Sequence, residues 1–233
     1  MNERIRDGTD LNILRLVRLP DLITILNVLF GFTAILYLLN GDPSSAAILV
    51  LAAALADGVD GAVARRVELG VMGEHLDSFA DVISFGVVPA LIYYMMVGTD
   101  HHTVACVFSA AYLVCGVLRL SRFGILDDDE FRGLPITAAG TFAALLLYLI
   151  NYIYYPQYVI TGVIAGLSVL MVSNIPYPKI RSVKILVPLA VVFVLTILAH
   201  YGGFCDWFAW ILTGLVGCYL LSPLVWHGPD HPG

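Results

Sequence analysis

Apolar runs of nearly constant length recur along the chain, separated by short polar connections. A hydrocarbon core of about 30 Å is crossed by roughly 20 apolar residues in helical form. That ruler predicts about eight transmembrane helices, near residues 22–39, 45–64, 78–97, 103–123, 135–155, 158–173, 183–199 and 207–223. The connections carry turn formers, among them Gly41-Asp42-Pro43, Gly98-Thr99-Asp100, Tyr155-Pro156 and Tyr201-Gly202-Gly203. Ahead of the first run, Leu11, Leu14, Leu16, Val17 and Leu19 alternate with Arg15 and Arg18, which predicts a short amphipathic interfacial helix over residues 10–19. The expected fold is an all-α integral membrane protein, one domain over residues 1–233 with its transmembrane helices between 22 and 223. No signal peptide is expected, since no small-residue cleavage site follows the first apolar run.

Composition sharpens this picture. Hydrophobic residues make up 59% of the chain and charged residues 13%, against about 25% charged in a soluble domain, so most of the surface is expected to face lipid. A formal charge of −6 excludes the basic stripe of a nucleic-acid binder. Cys106, Cys115, Cys205 and Cys218 sit singly in apolar runs and are expected to be buried small hydrophobes. The basic residues orient the chain. If the N-terminus is cytoplasmic and every run crosses, all 12 Lys and Arg fall on one side, while the opposite loops hold Asp42, Asp100 and Asp206. The positive-inside rule then places both termini in the cytoplasm, in a multi-pass protein of the cell membrane.

Against this apolar background four carboxylates stand out. A charge near the bilayer centre costs about 2.5–3.5 kcal/mol on insertion scales. Asp57, Asp60, Gly61 and Ala64 follow i, i+3, i+4, i+7 spacing and share one helical face; Asp77 and Asp81 are i, i+4 on the next helix, with Gly73 one turn earlier. A cytoplasmic connection of about ten residues makes the two helices antiparallel neighbours, so that two carboxylate pairs can face each other just below the interface. Four such groups stay ionised together only with cations between them. Hard divalent ions, Mg²⁺ or Mn²⁺, suit oxygen ligands, and two of them would balance four carboxylates and hold a diphosphate. Gly58, Gly61 and Ala64 let a substrate approach the backbone, and Arg65 offers a planar cation to phosphate oxygens.

These residues resemble the signature of the CDP-alcohol phosphatidyltransferase family, D-x-x-D-G-x-x-A-R followed by G-x-x-x-D-x-x-x-D. It is present as Asp57-x-x-Asp60-Gly61-x-x-Ala64-Arg65 and Gly73-x-x-x-Asp77-x-x-x-Asp81, with a spacer of seven residues where the family has about eight. Within the family the likeness is to membrane-embedded phosphatidylserine synthases. It is carried by residues 76–90, by residues 115–123 with Phe131-Arg132-Gly133-Leu134-Pro135, and by Ser173-Asn174-Ile175-Pro176-Tyr177-Pro178-Lys179. It covers roughly residues 19–185. Asp21 stands where relatives usually carry Asn.

The resemblance implies transfer of a phosphatidyl group from CDP-diacylglycerol, or an archaetidyl group from CDP-archaeol, to L-serine with release of CMP. It assigns Asp57, Asp60, Asp77 and Asp81 to two Mg²⁺ or Mn²⁺ ions, Asp81 also to the role of general base, and Gly61, Ala64, Arg65 and Thr24 to the CDP moiety. It also implies a homodimer. Arg119 and Arg122 either meet the serine carboxylate or lipid phosphate, or anchor a helix end at the interface. Asp127-Asp128-Asp129-Glu130 is read as a solvated loop, Tyr152, Tyr154, Tyr155 and Tyr158 as an interfacial belt, His101 and His102 as interfacial, and His200, His227 and His231 as lacking partners. Other acceptors, such as glycerol 3-phosphate or an inositol phosphate, stay open. A membrane prenyltransferase would use two well-separated Asp motifs, and a divalent-cation transporter would need carboxylates across the bilayer.

Overall fold

Leu19 and Pro20 open the first helix, α1 (Leu19–Leu39), proline being suited to a first helical turn because its missing N–H needs no partner there. The protein is seen in a computed structural model that describes residues 19–64, 73–123, 131–150, 156–178, 182–203 and 207–224. The expected interfacial helix at 10–19 therefore lies almost wholly outside the described residues. So do Arg65, the 127–130 acidic run, Tyr152, Tyr154, Tyr155, Cys205, His227 and His231.

After α1 the chain reverses at Gly41, whose φ of +79° is open to glycine without strain. Asp42 then caps α2 (Pro43–Ala64), its Oδ1 accepting from the Ser45 backbone N–H at 2.9 Å. Next comes a single rod in three parts. It consists of α3 (Gly73–Asp81), a π-helical turn over Val82–Val87 and α4 (Val88–Val97). The rod is followed by α5 (His102–Phe123), β1 (Phe131–Arg132), α6 (Ile136–Leu149), α7 (Gln157–Val172), β2 (Pro176–Tyr177), α8 (Val183–Gly202) and α9 (Trp207–Leu221), which ends in a 3₁₀ turn. Among the described residues, six stretches are long and apolar enough to cross a membrane, and α6 and α7 are shorter apolar helices. The eight predicted runs are helical over most of their described residues, and the all-α membrane fold is as expected.

Packing follows the logic of a lipid solvent. Helix α1 lies on α2 and α3, α2 on α6, α5 on α7, and α8 on both α2 and α9. Alanines fill the tight interfaces: Ala46, Ala47 and Ala53 of α2 and Ala139, Ala143 and Ala144 of α6 are fully buried, as expected where small residues let helices approach. The outward stripe of α1 is instead Leu22, Leu26, Leu29, Phe32 and Leu36. Large apolar side chains are cheap on a lipid-facing surface. Cys106 and Cys218 also lie on exposed helix faces, correcting the expectation of burial; in lipid a small hydrophobe gains nothing by turning inward.

The π-helical turn was not legible in the periodicity, and it sits at the centre of the bundle. Ser84, Phe85 and Gly86 are buried there. Tyr112 of α5 donates its hydroxyl to the Phe85 carbonyl at 3.0 Å, and Ser84 donates to the Asn27 carbonyl of α1, also at 3.0 Å. Gly140 of α6 lies against Phe85 so closely that a Cβ there would sit 2.6 Å from the Phe85 Cβ.

Two further ties close the bundle, one at each end. At the end where α5 and α7 finish, β1 pairs antiparallel with β2, Phe131 opposite Tyr177 and Arg132 opposite Pro176. Gly133, at φ +83°, donates to the Ile175 carbonyl at 2.9 Å. At the opposite end His200 lies between Ser45 and Tyr148, its Nε2 3.2 Å from Ser45 Oγ and its Nδ1 3.2 Å from Tyr148 Oη. The expectation that His200 lacks partners is thereby corrected: the partners come from helices distant in sequence.

Candidate active site

The last turns of α2 and the first turns of α3 meet at one end of the bundle. Asp57 of α2 and Asp77 and Asp81 of α3 each bring a carboxylate oxygen to within 4.8 Å of the others. The i, i+4 pair shares a face because α3 is regular up to Asp81, and the π turn begins immediately after it.

Asp60, one turn beyond Asp57, is turned toward α1 instead. Thr24 donates its hydroxyl to Asp60 Oδ2, while Asp60 Oδ1 is buried with no partner among the described residues. Asp21 also bears electrostatically on Asp60. The four predicted aspartates therefore form a trio with a fourth carboxylate beside it, since Asp60 remains within electrostatic reach of Asp57. Thr24, which the resemblance assigned to the CDP moiety, supports Asp60 directly.

Two neighbours from outside the signature complete the cluster. Thr137, at the start of α6, lies beside the Asp57 carboxylate. Asn27, one turn beyond Thr24 on α1, lies beside Asp81. Both were missed at the level of sequence. The signal for Asn27 was present, an amide within an otherwise apolar span, whereas nothing near Thr137 in the sequence links it to Asp57.

The two arginines part company. Arg119 is buried, 8% exposed, and bears on Asp81, Asp57 and Tyr219. Arg122 points to the β2 side, donating to the Ser173 carbonyl at 3.2 Å and to Asn174 Oδ1 at 2.7 Å. Arg122 thus ties α5 to the connection between α7 and β2, and Arg119 lies at the carboxylate cluster. The motif stretches 115–123, 131–135 and 173–178 come together through this contact and the β1–β2 pair. Gly61 is exposed at the end of α2, Ala64 closes that helix, and Arg65 lies outside the described residues.

Beside Asp57 opens a cavity of about 540 Å³ between α2, α6, α8 and α9. Gly58, Thr137, Thr141, Lys184 and Tyr219 contribute to its lining, and the remainder is largely apolar, including Pro188, Leu189, Val192 and Phe193. Gly58 has nothing within 4 Å of where a Cβ would stand, which keeps the α2 backbone accessible there.

The donor set fits hard divalent cations. Such ions bind carboxylate oxygens at about 2.0–2.6 Å, so oxygens within 4.8 Å of one another can share an ion. Three carboxylates with Asp60 and Asp21 close by exceed the charge that the Arg119 guanidinium can balance, and the orphaned Asp81 Oδ1 is an acceptor awaiting a cation or donor. Like charges so placed are tolerated only with positive charge between them.

The helical bundle with its carboxylates gathered on adjacent helix ends defines an α-helical membrane protein with a candidate metal centre. The chain belongs to the CDP-alcohol phosphatidyltransferase family, whose sequence model matches residues 17–175. It is 37% identical over 176 residues to archaetidylserine synthase of Methanothermobacter thermautotrophicus, covering 73% of this chain and 74% of that one. Over 174 residues it is 37% identical to the CDP-diacylglycerol–serine O-phosphatidyltransferase of Helicobacter pylori, covering 71% and 73%. A protein of the same name in Methanocaldococcus jannaschii is 36% identical over 170 residues, covering 72% and 77%.

Proposed function

We propose that this enzyme transfers a phosphatidyl or archaetidyl group from a CDP-activated lipid to L-serine, releasing CMP. The observation that carries the reading is the convergence of Asp57, Asp77 and Asp81 beside buried Arg119, next to a largely apolar cavity between the helices. Bound Mg²⁺ or Mn²⁺ would neutralise the diphosphate and stabilise the departing CMP phosphate.

The chain's own residues account for the rest. Asp57, Asp60, Asp77 and Asp81 would hold two such ions, with Thr24 supporting Asp60 and Thr137 beside Asp57. Gly61, Ala64 and Arg65 take the CDP moiety in this reading. Asp81 accepts the proton of the serine hydroxyl as its oxygen attacks the lipid-bearing phosphorus. The new P–O bond forms as the bond to the CMP oxygen breaks, and the electron pair leaves with CMP. Phosphoryl transfer asks mainly for positioning and charge stabilisation, so no covalent enzyme intermediate is needed. Arg119 receives the serine carboxylate, a match of guanidinium and carboxylate geometry. The cavity accommodates the lipid, with Lys184 at its polar part.

Both termini and the site are assigned to the cytoplasmic side of the cell membrane, on the basis of the basic-residue distribution. A homodimer is the expected assembly, and mass measurement of the detergent-solubilised protein checks it. The decisive experiment is CMP release by purified protein with CDP-diacylglycerol and CDP-archaeol in turn, screened across L-serine, glycerol 3-phosphate and inositol phosphate. Release with serine alone supports the reading. Release only with a phosphorylated acceptor would reassign the reaction within the family.

A further inference from the structure

We propose that Asn27 is the specificity-determining residue that recognises the ammonium group of the amino-acid acceptor, an assignment that rests on the serine transfer proposed above. Asn27 has no exposed surface, and neither its Oδ1 nor its Nδ2 has a hydrogen-bond partner among the described residues. Burying an amide without partners costs on the order of 1–3 kcal/mol, in a helix where leucine would fit at no such cost. Its backbone is fixed as well, since Ser84 of the π turn donates to the Asn27 carbonyl. The side chain is thus held with its N–H within reach of the Asp81 carboxylate, while its Oδ1 meets no donor among the described residues; Asp81 Oδ1 is also buried and unpartnered.

The chemistry of the neighbours selects the occupant. Asn27 from α1 and Arg119 from α5 both bear on Asp81 of α3. L-serine carries a hydroxyl, a carboxylate and an ammonium on adjacent carbons. With the hydroxyl at Asp81 and the carboxylate at Arg119, the group left over is a cation with three N–H donors. The amide oxygen of Asn27 is an acceptor suited to it, and a neutral acceptor binds the ammonium without adding a further negative charge to a crowded cluster. Glycerol phosphate and inositol phosphate have no donor cation to offer there, so Asn27 would separate amino-acid acceptors from phosphorylated ones.

The test compares wild type, Asn27→Leu and Asn27→Asp with saturating CDP-diacylglycerol and Mg²⁺. L-serine is the substrate, and 3-hydroxypropionate, which lacks the ammonium, is the competitor. The readout is the ratio of the 3-hydroxypropionate inhibition constant to the serine KM. Asn27→Leu should shrink that ratio at least tenfold, mainly through serine KM, as expected for loss of one charge-assisted hydrogen bond. Asn27→Asp, which keeps an oxygen in place, should retain the preference for serine. An unchanged ratio in Asn27→Leu, with kcat lowered, would reduce the residue to positioning Asp81 and overturn the assignment. Thermal unfolding of ligand-free protein in detergent is the second measurement. Removing an unsatisfied amide should leave the melting temperature of Asn27→Leu equal to or above wild type. A fall of several degrees would mean that the amide is satisfied within the protein and would also overturn it. If wild type releases no CMP with serine, the proposed reaction fails and takes the assignment with it.

Discussion

The Tyr112 hydroxyl donates to the Phe85 carbonyl at 3.0 Å, from a side chain with no exposed surface, and so fixes the π turn that follows Asp81. Tyr112→Phe keeps the ring and leaves a buried carbonyl without its donor. Membrane-protein hydrogen bonds are worth less than their burial implies, so a loss of about 1–2 kcal/mol is expected. Thermal unfolding in detergent measures it, and a wild-type melting temperature would show that the turn is held by packing alone.

That packing has its own test at Gly140. An alanine methyl there would lie 2.6 Å from the Phe85 Cβ and 2.8 Å from its carbonyl oxygen, so α6 and the π turn must separate. Gly140→Ala should destabilise by about 1–3 kcal/mol, as overpacking does in other cores. Gly166→Ala on α7, with nothing within 4 Å, should be neutral or slightly stabilising. Equal melting temperatures for the two variants would contradict the close approach.

For the carboxylates the expectation is loss of turnover on chelation and recovery on adding Mg²⁺ or Mn²⁺. Asp81→Asn should lower kcat by about 10²–10⁴, the range for removal of a general base, while CDP-lipid binding persists. Asp57→Asn and Asp77→Asn should weaken metal binding as well, which calorimetry with Mn²⁺ would reveal. Full turnover by Asp81→Asn would remove it from the role of base.

Thr24→Val deletes the donor to Asp60 at constant shape. If Asp60 is a metal and diphosphate ligand, freeing it should raise the metal concentration needed for half-maximal activity by about tenfold, one charged hydrogen bond's worth. An unaltered metal titration would confine Thr24 to helix packing.

At the opposite end of the bundle Asp42 gives a pH-dependent term. Burial pushes its carboxyl up, but hydrogen bonds from the Ser45 hydroxyl and backbone, with His200 nearby, outweigh it and leave it below the ordinary carboxylate range. A depressed folded-state value stabilises the fold above the unfolded value of about 3.9 and is lost as pH falls through the folded one. Asp42→Ala should therefore cost about 0.5–2 kcal/mol near neutrality, typical of a helix N-cap. The deficit should persist down to about pH 4 and shrink only as the pH falls further, through the lowered folded-state value. A deficit independent of pH would point to packing instead.

How far the sequence reaches is clearest in particular residues. Helix length, the carboxylate faces and the pairing of α2 with α3 follow from local spacing, because i, i+4 geometry and a short connection determine them. The division of labour between Arg119 and Arg122 does not. Three residues apart on one helix, they look alike until α7 and β2 arrive to take Arg122. The π turn is equally hidden, since its register depends on Tyr112 and Gly140 pressing from other helices. Thr137 and His200 acquire roles only through partners 80 and 155 residues away along the chain.

The attachment of α8 bears on how a two-tailed substrate gets in. This helix is moored by His200 to α2 and α6 at the end remote from the aspartates. Near the other end Pro188 removes a rung of its internal ladder where it borders the cavity. A post fixed at its foot and softened near its top can lean outward without coming loose. Entry from the side, straight out of the surrounding leaflet, then requires no unpacking of the aspartate-bearing pair.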